Sequence, residues 1–246
     1  MKLVKKIFFL ITVGFTFSAA GQNTGFYWEN LKESSNRLQG KIMGEIYFID
    51  PLSSQFFFLQ DDWVEGTLEL ADGDIYENIL IRYNCKEDNL IAYNKRIRTL
   101  YTIDKNILSR FRFKDYYSRD QYNETEFIKL YFNGLRSEDR FFEILYSGQS
   151  FLLAFHYIDE MRVAPYVDRH GRMSNTEYKK RTNYFIYNSN KQFKKVNPKR
   201  RSVLKAFPDN KKVIKKIIRQ NKVFIQNNEQ SLIQAIKLID QAGLMN

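Results

Sequence analysis

Cysteine is nearly absent. Cys85 is the single one among 246 residues, so an intrachain disulfide framework and a Cys-rich zinc site are both excluded. Two histidines leave most His-based metal and triad chemistries short of parts. With 11 Gly and 4 Pro, the chain is neither collagen-like nor of low complexity. Beyond residue 17, no apolar run approaches the roughly 18 residues of a membrane-crossing helix. Acidic residues thin out towards the C-terminus. Residues 170–246 hold 4 Asp/Glu against 18 Lys/Arg, although the total charge is only +11. The region 21–169 is acidic, with 24 Asp/Glu against 18 Lys/Arg. An acidic body with a basic tail suits an anionic partner, and it suits equally a tail docked on its own body.

What remains is plentiful in aromatics. Phe, Tyr and Trp make up 16% and hydrophobic residues 43%, enough for a core without covalent staples. The N-terminus carries Lys2, Lys5 and Lys6, then the apolar run Ile7–Phe17, then Ser18-Ala19-Ala20. This is the charged, apolar and small-residue succession of a secretory signal. As a helix the run spans about 16 Å, half of a bilayer core. Cleavage before Gly21 is therefore expected, leaving a soluble periplasmic or secreted protein without a transmembrane segment. Export in turn argues against nucleic acid as a partner.

From Lys41 to Tyr187, short aromatic or β-branched runs alternate with turn residues. Strands are expected at Lys41–Ile49, Gln55–Leu59, Val64–Leu70, Ile75–Tyr83, Leu90–Tyr93, Thr99–Ile103, Ser109–Phe113 and Thr125–Phe132. Arg140–Tyr146, Phe151–Ile158, Tyr178–Tyr187 and Gln192–Val196 follow. Asp72-Gly73 is a hairpin signal, because glycine accepts a positive φ without steric cost. Helical signals begin at Asn197-Pro198, read as N-cap and first helical residue of a helix through Phe207. Val213, Ile214, Ile217 and Ile218 form the next helical stripe. Asn228 caps a last helix with Leu232, Ile233, Ile236 and Ile239 inward, and Gly243 ends it. The division is a signal at 1–20, a β-rich body at 21–196 and a basic α-helical unit at 197–246, packed on the body. The expected fold class is α+β, mainly antiparallel β as a sandwich, barrel or curved meander, with a basic C-terminal helical tail.

Catalytic patterns are fragmentary. Asp72-Gly73-Asp74 with Glu77 lacks the alternating ligands of a calcium loop. Asp159-Glu160, Asp168 and His170 have no spacing that sets them on one face, and Pro165 with Gly171 suggests an irregular loop there. Ser147-Gly148-Gln149-Ser150 misses the glycine after the serine that a nucleophile elbow needs. His156 lies inside an aromatic strand and reads as a hydrogen-bonded structural residue. Cys85 reads as a small buried hydrophobe, with a thiol available for an intermolecular bond as the alternative. Tyr116, Tyr117, Tyr122 and Phe26-Tyr27-Trp28 are aromatics in polar surroundings that suit sugar stacking or an interface, or simply a thin β core. Asn123-Glu124-Thr125 fits a glycosylation acceptor, a pattern frequent by chance. No cofactor or metal is implied, and an enzyme is less favoured than a binding module.

Two stretches carry a resemblance. Trp63–Leu90 (WVEGTLELADGDIYENILIRYNCKEDNL) and the ending with KKVIKKIIRQNK and SLIQAIKLID are similar to a loose group of β-rich exported proteins of Gram-negative bacteria. The resemblance implies export and β-rich architecture, and it brings no catalytic residues. The leading expectation is a non-catalytic binding or assembly module of the cell envelope that contacts a protein partner through the tail or an aromatic β face. The alternative is a binder of anionic glycolipid or polysaccharide. Its site would be Lys211, Lys212, Lys215, Lys216 and Arg219, together with the Lys194–Lys205 cluster. A hydrolase using Asp159, Glu160 and Asp168 is the third.

Overall fold

A computed structural model of the chain describes residues 44–48, 54–95, 98–114, 124–134, 137–167, 171 and 173–245. Residues 1–20, expected to be an export signal, and Phe26-Tyr27-Trp28, Tyr116, Tyr117, Tyr122, Asn123, Asp168 and His170 lie outside them. Eleven antiparallel strands among the described residues form one sheet. They are β1 (Gly44–Ile46), β2 (Val64–Leu70), β3 (Ile75–Asn84), β4 (Asn89–Asn94), β5 (Thr99–Ile103), β6 (Leu108–Phe113), β7 (Thr125–Asn133), β8 (Ser137–Ser147), β9 (Phe151–Val167), β10 (Met173–Tyr187) and β11 (Phe193–Val196). Their lateral order is β1-β5-β4-β3-β2-β6-β7-β8-β9-β10-β11. The sheet is open, so of the three β architectures expected it is the curved meander.

Alternation decides which way each strand faces. Leu68 and Leu70 of β2 and Ile79, Ile81 and Tyr83 of β3 are all buried on one face. The turn between these strands has Gly73 at φ 91°, and Asp74 N–H donates to Asp72 Oδ1 at 3.2 Å. On the same face, Tyr83 meets Phe127 at 5.0 Å and Phe141 at 6.4 Å between ring centroids. Phe111 stacks on Phe127 at 4.7 Å. Strands β3 and β8, which supply Tyr83 and Phe141, are separated in the sheet by β2, β6 and β7. Their rings meet because accumulated strand twist coils this part of the sheet around its own side chains.

Past β8 the same face no longer closes on itself, and three helices cover it. These are α1 (Arg200–Ala206), α2 (Lys211–Gln220) and α3 (Glu229–Gln241). Leu145, Leu152, Ala154, Ile186 and Val196 of the sheet form one core with Val203, Ile214, Ile218, Leu232, Ile236 and Ile239 of the helices. Asp240 of α3 receives the Tyr146 hydroxyl at 2.9 Å and Gln149 N–H at 3.1 Å. A Cβ on Gly148 would lie 2.1 Å from Asp240 Oδ2, so glycine lets the β8–β9 turn seat against α3. The opposite face of β7–β11 carries a layer of touching rings, including Phe132, Phe142, Phe185 and Phe193.

Several boundaries differ from expectation. Gln55–Leu59 is not a strand: Ser54–Phe57 is a 3-10 turn, followed by a single bridge from Phe58 to Asn84. Strand β2 already occupies that lane of β3 up to Ile81, which leaves only the strand's end to pair. The surroundings of Pro165 are strand rather than irregular loop, since β9 runs to Val167. The register shifts between Ser174 and Thr176, which face Tyr166 and Arg162, so the proline sits in a bulge. Helix α1 starts later than Asn197-Pro198 suggests, with Lys199 as N-cap. Pro198 lies in a bend instead, with Lys199 N–H on the Asn197 carbonyl at 2.6 Å and the Pro198 carbonyl accepting from Asn227 N–H at 2.8 Å. Val213 belongs to the apolar stripe of α2 by spacing but stands 49% exposed.

Candidate anion-binding groove

Helices α1 and α2 are joined by a short connection at Pro208–Asn210 and lie side by side. Between them runs a groove of about 720 Å³ lined by Arg200, Arg201, Leu204, Lys205, Lys211 and Lys215. Five of these six side chains are cations and none is an acid. Ile214 and Ile218 set the rotation of α2 by turning into the core. At about 100° per residue, Lys211 and Lys215 then fall on the flank facing α1. Lys194 does not join them. Its ammonium donates to the Ala206 carbonyl at 2.6 Å, neutralising the negative end of α1.

The start of α2 breaks a local rule. Positive charge near a helix N-terminus opposes the macrodipole, at about 0.3–1 kcal/mol per charge at low ionic strength. Helix α2 nonetheless opens with Lys211 and Lys212, has no acid in its first turn and has no side-chain cap from Asn210. The nearest acid, Asp209, precedes the cap. Violations of this kind concentrate where function overrides stability. An anion in the groove would reverse the penalty.

Of the five residues singled out by sequence, Lys211 and Lys215 line the groove, while Lys212, Lys216 and Arg219 are exposed elsewhere on α2. Arg200, Arg201 and Lys205 enter from α1, within the basic cluster noted before it. Their convergence with α2 is a product of packing, and no spacing in the sequence announces it.

Several polar groups are buried in and beside the sheet. His156 Nε2 is 2.6 Å from Glu143 Oε2 and its Nδ1 is 3.1 Å from Thr182 Oγ1. This carboxylate–imidazole–hydroxyl chain links β8, β9 and β10 where the aromatic coil gives way to the helix-covered half. Glu143 and His156 are 1% and 9% exposed, so the chain serves as an interior tie, as expected of His156. Asp88 receives the Tyr83 hydroxyl at 2.5 Å and the Lys105 ammonium at 2.6 Å. Burial still raises its carboxyl above the ordinary range, with Lys105 opposing. Cys85 is 2% exposed, and burial pushes its thiol up to about 12, which keeps it protonated and poorly nucleophilic. Arg82, 7% exposed, lies 4.0 Å from the Phe58 ring centroid and donates to the Gln60 carbonyl at 2.8 Å. Sequence reasoning passed over Glu143, Asp88 and Arg82. Only Glu143 had a signal, a charge at an inward position of the alternation between Phe141 and Leu145.

Of the carboxylates in the hydrolase reading, the two described ones do not converge. Asp159 pairs with Arg181 at 3.4 Å, and Glu160, its neighbour on a strand, points to the other face. Among the described residues no group of His, Cys, Asp and Glu is arranged to hold a metal ion. Nor is any described helix long and apolar enough to cross a membrane. No family model matches the chain, and neither a curated protein nor a solved structure matches it.

Proposed function

We propose that the protein is an exported binding module of the cell envelope that takes an anionic glycolipid or polysaccharide on the basic face of its helical unit. The observation that carries this reading is the α1–α2 groove, with five cations around about 720 Å³ and no acid in its lining. Export is supported by the lysine-rich, apolar and small-residue succession of residues 1–20. N-terminal sequencing of protein recovered from a Gram-negative periplasm tests it, with Gly21 as the expected first residue.

Binding to immobilised heparin, a soluble polyanion, tests the groove. Retention should weaken steeply with salt, since exposed charges are screened over about 8 Å at physiological ionic strength. The double variant Lys211→Glu, Lys215→Glu should elute at clearly lower salt while keeping the circular dichroism spectrum of the parent. Equal retention of a folded double variant would sink the groove as the binding element.

A protein partner is the second reading, supported by the ring layer on the outer face of β7–β11. Crosslinking pulldown from native envelopes tests it. Capture by both the parent and the double variant would favour this face over the helices.

A further inference from the structure

The segment after α2 places an apolar side chain beside the cations. Val223, Phe224 and Ile225 alternate between core and solvent, the pattern of an extended chain. Val223 and Ile225 turn into the helical core, and Phe224 between them stands 75% exposed. Gln226 forms a bridge with Lys199, and Asn227 N–H bonds the Pro198 carbonyl. Bridge partners share a face, and so do residues two apart in an extended chain. Phe224 therefore emerges on the side of Gln226 and Lys199, next to the start of α1 with Arg200 and Arg201. Lys222 precedes it, and this surface lies on the same α1–α2 unit as the groove.

We infer that this surface rests on a bilayer containing anionic lipid, with the groove cations on the headgroups and the Phe224 ring among the headgroup and upper acyl atoms. The inference rests on the anion-binding reading and narrows it to one source of anions. A soluble polysaccharide offers the cations their counter-charges but leaves the ring in water. A membrane interface supplies both an anionic layer and an apolar one, a combination that amphipathic cationic segments with an aromatic side chain exploit. Three quarters of the Phe224 surface stays out of the fold, while Val223 and Ile225 on either side pack in the core.

Sedimentation of the purified protein with sucrose-loaded vesicles tests the inference, beside the heparin assay. Vesicles of phosphatidylcholine with phosphatidylglycerol should retain the protein, and phosphatidylcholine alone should not. Phe224→Ser should weaken vesicle binding about tenfold or more, the scale expected for withdrawing one phenylalanine from an apolar layer. Its heparin retention should stay unchanged. In Phe224→Trp, the emission gained over the parent should shift to shorter wavelength when phosphatidylglycerol vesicles are added. Heparin binding without vesicle binding, or vesicle binding indifferent to Phe224→Ser, overturns the lipid inference and leaves the polyanion reading standing. Failure to bind either probe removes both.

Discussion

Helices α2 and α3 are neighbours in sequence and in space, and both turn isoleucines into the same core. Their other faces obey opposite rules. Helix α3 starts and stops by local rule, and its one departure, a carboxylate against the dipole in the last turn, is offset by the Tyr146 hydroxyl and Gln149 N–H. Asn228 caps it by accepting from Gln230 N–H at 2.8 Å, Glu229 sits in its first turn, and Gly243 ends it at φ 68°. Its one buried acid, Asp240, is engaged by the β8–β9 turn. Helix α2 opens with lysines against its own dipole and buries only Ile214 and Ile218. The pair separates two jobs. One helix anchors the unit to the sheet, and the other uses that anchorage to hold cations where isolated helix energetics disfavours them.

The strongest way to break the comparison is to remove the anchor. Ile236, fully buried in α3, should cost about 2–5 kcal/mol when changed to alanine, through lost transfer energy and the cavity left behind. Urea unfolding followed by circular dichroism would read it. A cost under about 1 kcal/mol would mean that the helical core is far looser than its burial indicates. Asp240→Ala should come next, at about 1–3 kcal/mol, because it strips the Tyr146 hydroxyl and Gln149 N–H of their acceptor. The same titration reports it, and a separate early transition would show the helical unit detaching before the sheet unfolds.

Smaller changes sharpen the contrast. Asn228→Ala should lower stability by about 1 kcal/mol, the usual loss for a side-chain cap. Asn210→Ala at the corresponding position of α2 should cost less, since Asn210 makes no cap bond; comparing the two urea midpoints checks the difference. The smallest effect carries the opposite sign. Lys211→Glu should raise the midpoint slightly at low salt, as a negative charge then faces the positive end of α2, while heparin retention falls. A variant that loses both stability and binding would assign Lys211 to the fold and leave the groove without its main argument.

Much of this organisation was legible beforehand. The hairpin of β2 and β3 and the stripe and cap of α3 follow from period and turn and capping chemistry, which act over a few residues. Misreadings fell where a distant strand decided the outcome. Gln55–Leu59 has strand composition, but β2 holds the neighbouring lane. Pro198 suits a first helical position, but pairing of residues 198–199 with 226–227 holds it in a bend before the helix. In both places a non-local hydrogen-bond partner outweighed a weak local preference.

The same division applies to the candidate site. Composition alone concentrated positive charge in the last third of the chain, and helical period alone put Lys211 and Lys215 on one flank of α2. Neither made a groove. That required α1 to fold back beside α2, which happened because Val203, Ile214 and Ile218 share one apolar core over β8–β11. Burial likewise separated Cys85 and His156, drawn inside by the coiling of the sheet, from Phe224, left outside. Short-range periodicity sets which residues share a face. Only the packing of faces against one another sets which of those faces meet, because that depends on apolar area contributed by segments far apart in the chain.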